Sequence, residues 1–492
     1  MRKTITLFCL LILLAHTLSA QLSPEALQKD LLLLKESLAT MHPGLHKYMD
    51  ATAVEEAYEV LQSAWSEEQS TLTAYGHLST FLAKIKCGHT YANFWNQEGE
   101  LEQLFVHAAN KVPFTFRIID HNIYIDQVVT DEEGLQRGDR LLSINGIATA
   151  TILEALLQYV KADGSNDAKR LFDLQLFGLD NYEAFDIYLP LVIDLQEEVE
   201  VVVEDHASKT EKQFRLPLLT RQERYDRIGK KYGNAIESYD DYWSFRYIDE
   251  QTAYLQLGTF VTWRMSIKWK SYLNKIFKEL NKKAIPHLIL DIRGNGGGNA
   301  DVQQHLYKKL TNRKATVGPF QQTLRTNYIP KHLRPHLYLR LKKYFNQQSK
   351  TVRLNDDFYT YKKNGLLAGT RAPKSSAYQG EVYLLADASN SSGTYFLINY
   401  LKNNKLATVI GQTSGGNQQG ITAGQMAILT LPHSKIAVDI PLIGYYPTTK
   451  QPDAGIQPDI FVPYTVEDFM AQRDTEVEMA LELIKKYTNE KK

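Results

Sequence analysis

The sequence predicts three folded regions, the last of which is an α/β domain with a mainly parallel sheet. From about residue 240, short apolar runs typical of buried strands alternate with amphipathic helical patterns. Before that point, apolar residues at helical spacing occupy residues 22–104, and short β-type runs follow in residues 105–205. A chain of 492 residues has room for about three domains of ordinary size.

The first twenty residues have the layout of a secretory signal peptide. Arg2 and Lys3 precede an apolar run from Ile5 to Leu14, and small residues lead to Ala20. The run is too short for a typical membrane span, and no later stretch is long enough. We therefore expect residues 1–20 to be removed and the mature chain, without a membrane span, to be exported to the periplasm or the extracellular space.

Charge and cysteine content narrow the classes of function. Lysine plus arginine and aspartate plus glutamate number 56 each, so the formal net charge is zero and gives no general attraction for nucleic acid. Cys9 lies in the signal segment, which leaves Cys87 as the single cysteine and excludes an internal disulfide framework. The spacing of His, Asp and Glu indicates no metal site, and we expect no cofactor.

Residues 21–104 are predicted to form a helical domain. Ser23 and Pro24 suit an N-cap and a first helical turn. Further helical patterns cover Val54–Trp65 and Leu72–Ile85.

Residues 105–205 are predicted to be rich in β-structure. The β-type runs are Phe114–Ile119, Ile123–Val129 and Val199–Val203. Residues 134–146, GLQRGDRLLSING, resemble the corresponding stretch of PDZ domains; the alternative is another small β-domain with an Asn-Gly turn. A PDZ-like domain would bind an extended peptide at a sheet edge.

Residues 206–470 are predicted to form the α/β domain, followed by a C-terminal helix in residues 471–492. The predicted strands are Ala253–Leu257, His287–Ile292, Val382–Ala386 and Ala407–Ile410. The predicted helices cover residues 267–280, 299–310 and 394–401, and a last one covers about 466–487. A hairpin is expected from Met426–Leu431 and Ile436–Ile440.

Residues 315–378 interrupt this alternation and are rich in Tyr, Lys and Arg. The stretch Lys331–Lys350 contains no acidic residue, which would also suit a nucleic-acid contact. Its position between two core strands favours an insertion that covers or borders the active site.

A glycine-rich loop is the first candidate functional segment, because its main chain could stabilise an anion. Asp291–Asn299 follows a buried strand, and its glycines let main-chain N–H groups approach an anion. The next helix starts at Asn299, so its positive end points to the same place. The alternatives are a nucleotide-phosphate loop, whose known spacings are absent, and a plain tight turn.

Two further segments follow the next strands. Ser389–Thr394 joins a strand to an apolar helix, where the hydroxyl of a serine such as Ser391 would be exposed and could act as a nucleophile; an N-cap cluster is the alternative. Gly411–Asn417 is a second glycine-rich loop, in which Gly415 and Gly416 would let a substrate backbone approach closely.

Together these segments resemble the tail-specific, or C-terminal processing, proteases. The stretches LDIRGNGGG, VYLLADASNSSGTYF, VIGQTSGG and GIQPDI stand in that family's order, and the resemblance covers roughly residues 250–465. It implies a crotonase/ClpP-like spiral of α/β units joined to a PDZ-like domain. It also implies a serine-type peptidase that cleaves protein or peptide substrates.

The resemblance implies roles for individual residues. It places the nucleophile at Ser391, with Ser392 as the rival one residue away. The oxyanion hole would be formed by the N–H groups of Ser392 and of a glycine in the pair Gly296 and Gly297.

The general base is expected to be His89. The Ser/Lys branch of the family has a lysine where this chain has Gly416 and Asn417. The tricorn-core and retinoid-binding-protein-like branch uses a histidine in a context such as Gly88-His89-Thr90, and a neutral imidazole accepts a serine proton near pH 7. Asp453 is the acid nearest to the third position of that branch, offset by one residue.

Two departures from the family pattern leave another class open. Thr394 replaces a family glutamate and Asp453 is offset, so the alternative is a catalytically inactive protein that binds a peptide or an apolar ligand. A thiol hydrolase built on Cys87 and His89 is a further alternative, disfavoured because residues so close on a turn rarely form a productive hydrogen bond.

Overall fold

The computed structural model describes residues 21–177, 183–233 and 236–490. The predicted signal peptide, residues 1–20, lies outside the described residues. Within those three ranges, no helix combines the length and the apolar composition that crossing a bilayer requires.

Three helices form the N-terminal region, as predicted. They are α1 (Pro24–Met41), α2 (Ala51–Ala64) and α3 (Thr71–Lys84), followed by the short α4 (Glu100–Glu102). The side chain of Ser23 accepts a hydrogen bond from the N–H of Ala26 at 3.3 Å, which confirms the predicted N-cap. Strands β1 (Gln21–Leu22) and β2 (Gln69–Ser70) pair in an antiparallel ribbon that ties the start of α1 to the start of α3.

The second region is an antiparallel sheet that confirms the three predicted strands. Its strands are β3 (Phe114–Ile119), β4 (Asn122–Val128), β5 (Arg140–Ile144), β6 (Ile147–Ala148), β7 (Glu198–Glu204) and β8 (Glu211–Pro217). Their order is β3-β4-β5-β7-β8, with β6 on β5. The accompanying helices are α5 (Thr149–Leu157), α6 (Asp167–Leu174), α7 (Ala184–Tyr188) and α8 (Arg221–Tyr232). Because β8 pairs along the whole of β7, the sheet runs past the predicted boundary at residue 205. The likeness to a PDZ domain stays a prediction.

The third region is built on a six-stranded sheet. Its strands are β9 (Trp243–Tyr247), β10 (Thr252–Leu257), β11 (His287–Asp291), β17 (Glu381–Ala386), β18 (Thr408–Gly411) and β23 (Ile460–Phe461). They lie in the order β23-β18-β17-β11-β10-β9, parallel except for β9 at one edge. Every residue of β11 is buried, as expected of a parallel strand covered on both faces.

Five helices surround this sheet. They are α9 (Trp269–Lys282), α10 (Ala300–Leu310), α11 (Ser392–Asn403), α12 (Val466–Ala471) and α13 (Thr475–Glu490). The single helix predicted over residues 466–487 is wrong, because the chain breaks between α12 and α13. Gln472 has a φ of 52°, a left-handed conformation that ends α12.

Strands within residues 315–378 pair with strands that follow α11 in the chain. These residues form β12 (Ala315–Thr323), β13 (Leu337–Leu339), β14 (Thr351–Arg353), β15 (Tyr359–Tyr361) and β16 (Leu366–Arg371). The later strands are β19 (Ile421–Thr422), β20 (Met426–Thr430), β21 (Ala437–Pro441) and β22 (Gly444–Pro447). One sheet has the order β16-β12-β22-β19 and another β13-β20-β21, so both combine strands of the insertion with later ones. The hairpin of β20 and β21 confirms the predicted one.

One apolar core joins the first two regions to the hairpin. Leu34 of α1, Phe114 of β3 and Leu429 of β20 all belong to it and are fully buried. A second core lies between the parallel sheet and α9 to α11, and a third lies between the other face of that sheet and α13. The predicted helical and β-rich domains therefore share their interior rather than packing as separate bodies.

Candidate active site

The candidate nucleophile lies on a tight connection between β17 and α11. Ser391 is the N-cap residue of α11, and Ser392 opens the helix with a φ of 52°. A positive φ is uncommon for a residue with a side chain and marks a strained turn. The turn leaves Ser391 half-buried, at the positive end of the helix.

Asn390, the residue before the nucleophile, holds this turn against the glycine-rich loop. Its buried side chain donates hydrogen bonds to the carbonyls of Ile292 at 2.6 Å and Asn295 at 3.0 Å, and it accepts one from the N–H of Asp387 at 2.9 Å. The carboxylate of Asp387 in turn accepts from the N–H of Gly294 at 3.0 Å. Two loops distant in sequence therefore form one rigid unit.

Thr394 occupies the position at which the tail-specific proteases, which the sequence resembles, have a glutamate. Its fully buried hydroxyl makes hydrogen bonds to the carbonyl of Asn295 at 2.9 Å and to that of Ser391 at 2.8 Å. The threonine therefore fastens the start of α11 to the glycine-rich loop.

The main-chain donors nearest to Ser391 are those at the start of α11. In the described part of the chain, the N–H groups of Ser392 and Gly393 have no protein partner, as is usual at a helix N-terminus. Both are available to a developing oxyanion. The oxyanion-hole role of the N–H of Ser392 stays a prediction.

The predicted contribution of Gly297 does not agree with the structure. Its N–H donates to Oδ1 of Asn295 at 2.8 Å, so it is engaged within the loop. Its neighbour Gly296 presents a carbonyl oxygen to the nucleophile and accepts a hydrogen bond from Oγ of Ser391 at 3.2 Å. In this conformation, the carbonyl of Gly296 therefore accepts a hydrogen bond from the serine. Of the two glycine N–H groups, only that of Gly296 is unpaired among the described contacts.

His89 is held by contacts on both sides of it in the sequence. Nε2 of His42 lies 2.7 Å from Oγ1 of Thr90, and Nδ1 of His42 accepts from the N–H of Gly44 at 3.1 Å. Since Nδ1 is an acceptor, Nε2 carries the proton and donates to Thr90. Burial lowers the pKa of His42 to about 3, which keeps this donor neutral.

On the other side, Asp163 anchors the residue before His89. Its Oδ1 accepts a hydrogen bond from the N–H of Gly88 at 2.9 Å. A Cβ atom on Gly88 would lie 2.8 Å from Oδ2 of Asp163, so only glycine permits this approach. Asp163 is buried and was missed by the sequence analysis, because no motif marks it.

The structure brings Ser391 and His89 to one small cavity, although they are some 300 residues apart in sequence. The cavity measures about 350 Å³, and Gly296, Gly415 and Asp163 also line it. No hydrogen bond joins Ser391 to His89 within the described contacts, since the serine hydroxyl donates to Gly296. Nδ1 of His89 is buried and lacks a partner in hydrogen-bond geometry there.

The charges around this cavity control the protonation of His89. Burial lowers the pKa of His89, and the carboxylate of Asp163 opposes that effect, while Lys161 and Lys169 reinforce it. The net result is a pKa below the usual 6.5, which leaves the imidazole neutral and able to accept a proton at pH 7. Asp439 also lines the cavity, and burial raises its pKa to about 6.

Asp453, the predicted third group, contacts the loops near His89. Its carboxylate accepts from the N–H of Ser165 at 2.9 Å and from the side chain of Asn417 at 2.7 Å. In the described contacts it makes no hydrogen bond to His89. The acid beside His89 is instead Asp163, two residues before Ser165.

The two predicted substrate-binding glycines have different surroundings. Gly415 lines the cavity with Ser391 and His89. Gly416 lies beneath the ring of Tyr395, where a Cβ atom would come within 2.5 Å of a ring carbon. Its N–H donates to Asn390 at 3.1 Å and its carbonyl accepts from Asn166 at 2.8 Å, so both main-chain groups already bind the protein. Gly416 therefore supports the loop.

The environment of Cys87 argues against a thiol nucleophile. The side chain is buried, its Sγ lies 3.6 Å from the carbonyl of Thr422, and burial raises its pKa to about 12. A thiol in that state is almost wholly protonated at pH 7 and is a poor nucleophile.

A larger cleft of about 930 Å³ opens next to the small cavity, and His89, Gly296 and Ser392 line it. Its rim carries exposed aromatic rings, including Trp263 at 60% and Tyr338 at 63% exposure. Because Tyr338 belongs to β13, residues 315–378 border the cleft, as predicted. The cleft combines aromatic rings and main-chain glycines with charged side chains such as Lys169 and Asp173.

The comparisons with known proteins agree with this architecture. The sequence model of Peptidase family S41 matches residues 251–462. The matched span includes Ser391 and the glycine-rich loops but not His89. The matched span agrees with the resemblance predicted over residues 250–465. No curated protein sequence matches the chain.

Solved structures extend the likeness to nearly the whole chain. The structure of mature CPAF has a TM-score of 0.62 at 15% identity, covering 93% of this chain and 96% of that one. Mature CPAF complexed with lactacystin has a TM-score of 0.60 at 14% identity, covering 93% and 97%. The photosystem II D1 C-terminal processing protease aligns at 15% identity over 88% and 93%, with a TM-score of 0.40. The two CPAF structures show a shared mixed α/β fold.

Proposed function

We propose that this protein is an exported serine peptidase that cleaves peptide bonds through an acyl-enzyme on Ser391. The observation that carries the proposal is the small cavity that both Ser391 and His89 line. The unpaired N–H groups of Ser392 and Gly393 follow Ser391 directly in the chain. The Peptidase family S41 domain supports the hydrolase class. The signal-like pattern of residues 1–20 supports export.

Acylation would proceed with His89 as the base. The hydroxyl of Ser391 turns from the carbonyl of Gly296 towards the imidazole, which accepts its proton as Oγ attacks the peptide carbonyl. The N–H groups of Ser392 and Gly393 stabilise the negative oxygen that forms. The C–N bond then breaks, and the imidazolium returns the proton to the leaving amine.

Deacylation repeats these steps with water. His89 takes a proton from a water molecule, which attacks the ester carbonyl on Ser391. The bond between the acyl carbon and Oγ then breaks, the imidazolium returns the proton to Oγ, and the carboxylic acid product leaves. Asp163 does not contact the substrate in this scheme. It acts as a positioning residue that holds Gly88 and partly offsets the lysine charges on His89.

A fluorophosphonate probe tests the assignment of the nucleophile. Such a probe reacts with activated serines, so we expect it to label the wild type and not Ser391→Ala. The matched control is Ser392→Ala, which keeps the main-chain N–H and should still be labelled, with the modified peptide identified by mass spectrometry. Equal labelling of the wild type and Ser391→Ala would rule the proposal out.

A peptide-binding protein without activity is the second candidate. It is favoured by the hydrogen bond from Ser391 to Gly296, which draws the hydroxyl away from His89. Under this candidate, the wild type would bind peptides in the large cleft yet resist the probe at every pH between 5 and 9.

A further inference from the structure

We propose that the aromatic cavity beside α11 is the specificity pocket of this site, and that it takes a large uncharged apolar side chain from the residue whose carbonyl is attacked. The cavity has a volume of about 420 Å³, and its apolar and aromatic surface is formed mainly by Val317, Phe320, Leu367, Phe396, Tyr400 and Tyr445. This inference rests on the proposed function.

The pocket opens beside Ser392, the residue that follows the candidate nucleophile. Ser392 and Gly298 line both the pocket and the large cleft. A substrate in the cleft with its carbonyl at Ser391 can therefore place a neighbouring side chain in the pocket without crossing any other part of the protein.

The walls of the pocket combine aromatic and aliphatic side chains with uncharged amide groups, among them Gln303, Gln322 and Asn399. Phe396 makes edge-to-face contacts with Phe320 at a centroid distance of 5.3 Å and with Tyr445 at 5.7 Å. None of the described residues that line the pocket carries a formal charge. A charged substrate side chain would lose hydration there without gaining an oppositely charged partner, so the pocket selects against it.

The volume of the pocket argues for a large side chain. An apolar cavity of about 150 Å³ already accommodates benzene. At about 420 Å³, this pocket has room for a phenyl, phenol or branched aliphatic group, whereas a methyl group would leave most of it unfilled.

The position of His89 indicates which half of the substrate places its side chain in the pocket. The leaving amine must take its proton from His89, which lines the large cleft and the small cavity but not the pocket. The leaving half of the substrate therefore lies on the side of His89. The pocket, on the other side of Ser392, receives the residue that remains attached as the acyl group.

Residues 315–378 supply one wall of this pocket, on β12 and β16. Along β16, neighbouring side chains point to opposite faces. Leu367 lines the pocket, whereas Leu366 is 52% exposed. These adjacent leucines provide a matched pair for substitution, because Leu367→Trp fills the pocket and Leu366→Trp places the same ring in solvent.

Peptide binding to the Ser391→Ala variant tests the pocket without requiring catalysis. We expect a peptide with Phe at the acyl position to bind at least about tenfold more tightly than the same peptide with Ala there. Adding Leu367→Trp should abolish this difference, and adding Leu366→Trp should preserve it. If Leu367→Trp does not fold, Val317→Trp fills the same pocket from β12.

Cleavage by the wild type provides the second measurement. We expect the residue before the cut in a peptide library to be Phe, Tyr, Leu or Met. Equal binding of the Phe and Ala peptides, or cleavage after charged residues, would contradict the assignment of the specificity pocket even if the probe labels Ser391. If the probe does not label the wild type but the Phe peptide still binds more tightly than the Ala peptide, the proposed peptidase function is contradicted and the assignment of the pocket stands.

Discussion

The chemistry proposed for Ser391 depends on how a single histidine is held and charged. His89 is followed by Thr90, which a neutral His42 holds, and is preceded by Gly88, which Asp163 holds. Burial makes the imidazole a weaker base than in water, and the Asp163 carboxylate returns part of that basicity. We therefore expect Asp163 to affect how the acylation rate falls at acidic pH.

Replacing Asp163 by asparagine should separate its charge from its hydrogen bond. Asparagine can still accept from the N–H of Gly88, but it no longer stabilises the imidazolium. The pKa of His89 should fall, so the acid limb of the acylation rate should move to lower pH. The measurement is the rate of probe labelling between pH 4 and 8, with the labelled serine verified.

The control is Asp167→Asn, an exposed acid four residues away that should leave the acid limb unchanged. His89→Ala should slow labelling by about 10²–10⁴-fold and remove the acid limb due to that base. An acid limb that stays in place in Asp163→Asn would show that Asp163 does not act on the charge of His89.

At the scale of secondary-structure elements, the site depends on two loops that follow β11 and β17. Each strand ends at the same edge of the parallel sheet, so their loops meet there. Asn390 and Thr394 then join the loops through the carbonyl of Asn295. The geometry of the oxyanion donors therefore depends on side chains that face away from the substrate.

Substituting Asn390 by alanine should weaken both the fold and the site. The buried carbonyls of Ile292 and Asn295 would each lose one of their two donors, and we expect the free energy of unfolding to fall by about 2–4 kcal/mol. Urea unfolding measures this change. Probe labelling of Ser391 should slow as well, because the start of α11 would no longer be fixed against the loop.

Asn403→Ala, an exposed substitution near the end of α11, is the matched control and should change stability by less than about 0.5 kcal/mol. A fully stable Asn390→Ala with normal labelling would mean that the two loops hold their positions without this clamp.

At the scale of the whole molecule, the N-terminal helices are part of the catalytic unit. Fully buried Asp30 of α1 accepts hydrogen bonds from the N–H groups of His433 at 3.0 Å and Ser434 at 2.7 Å, at the turn between β20 and β21. The same core contains both parts of the chain. Because His89 follows α3, this packing decides where the base lies relative to Ser391.

Replacing Asp30 by alanine should therefore destabilise both α1 and the turn between β20 and β21. Two buried N–H groups would lose their acceptor, and we expect a loss of about 2–4 kcal/mol in stability. Near-UV and far-UV circular dichroism should still report one shared unfolding transition. Lys29→Ala, on the exposed face of the same helix, should have little effect. Two separate transitions in Asp30→Ala would contradict the shared core.

Local patterns were enough to predict most of the elements. The N-cap at Ser23, the strands of the parallel sheet and the hairpin of β20 and β21 agree with the structure. The errors arose where tertiary contacts decide. The break at Gln472 and the extension of the antiparallel sheet to Pro217 have no strong signal in hydrophobic periodicity.

The amino-acid sequence by itself determined the alternation of strands and helices, the glycine-rich loops and the candidates Ser391 and His89, because each is encoded by residues close together in the chain. Only the tertiary structure decided which acid lies beside His89, how the N–H of Gly297 is used and what lines the specificity pocket. Those features depend on distances between segments hundreds of residues apart, which packing fixes and local spacing does not record.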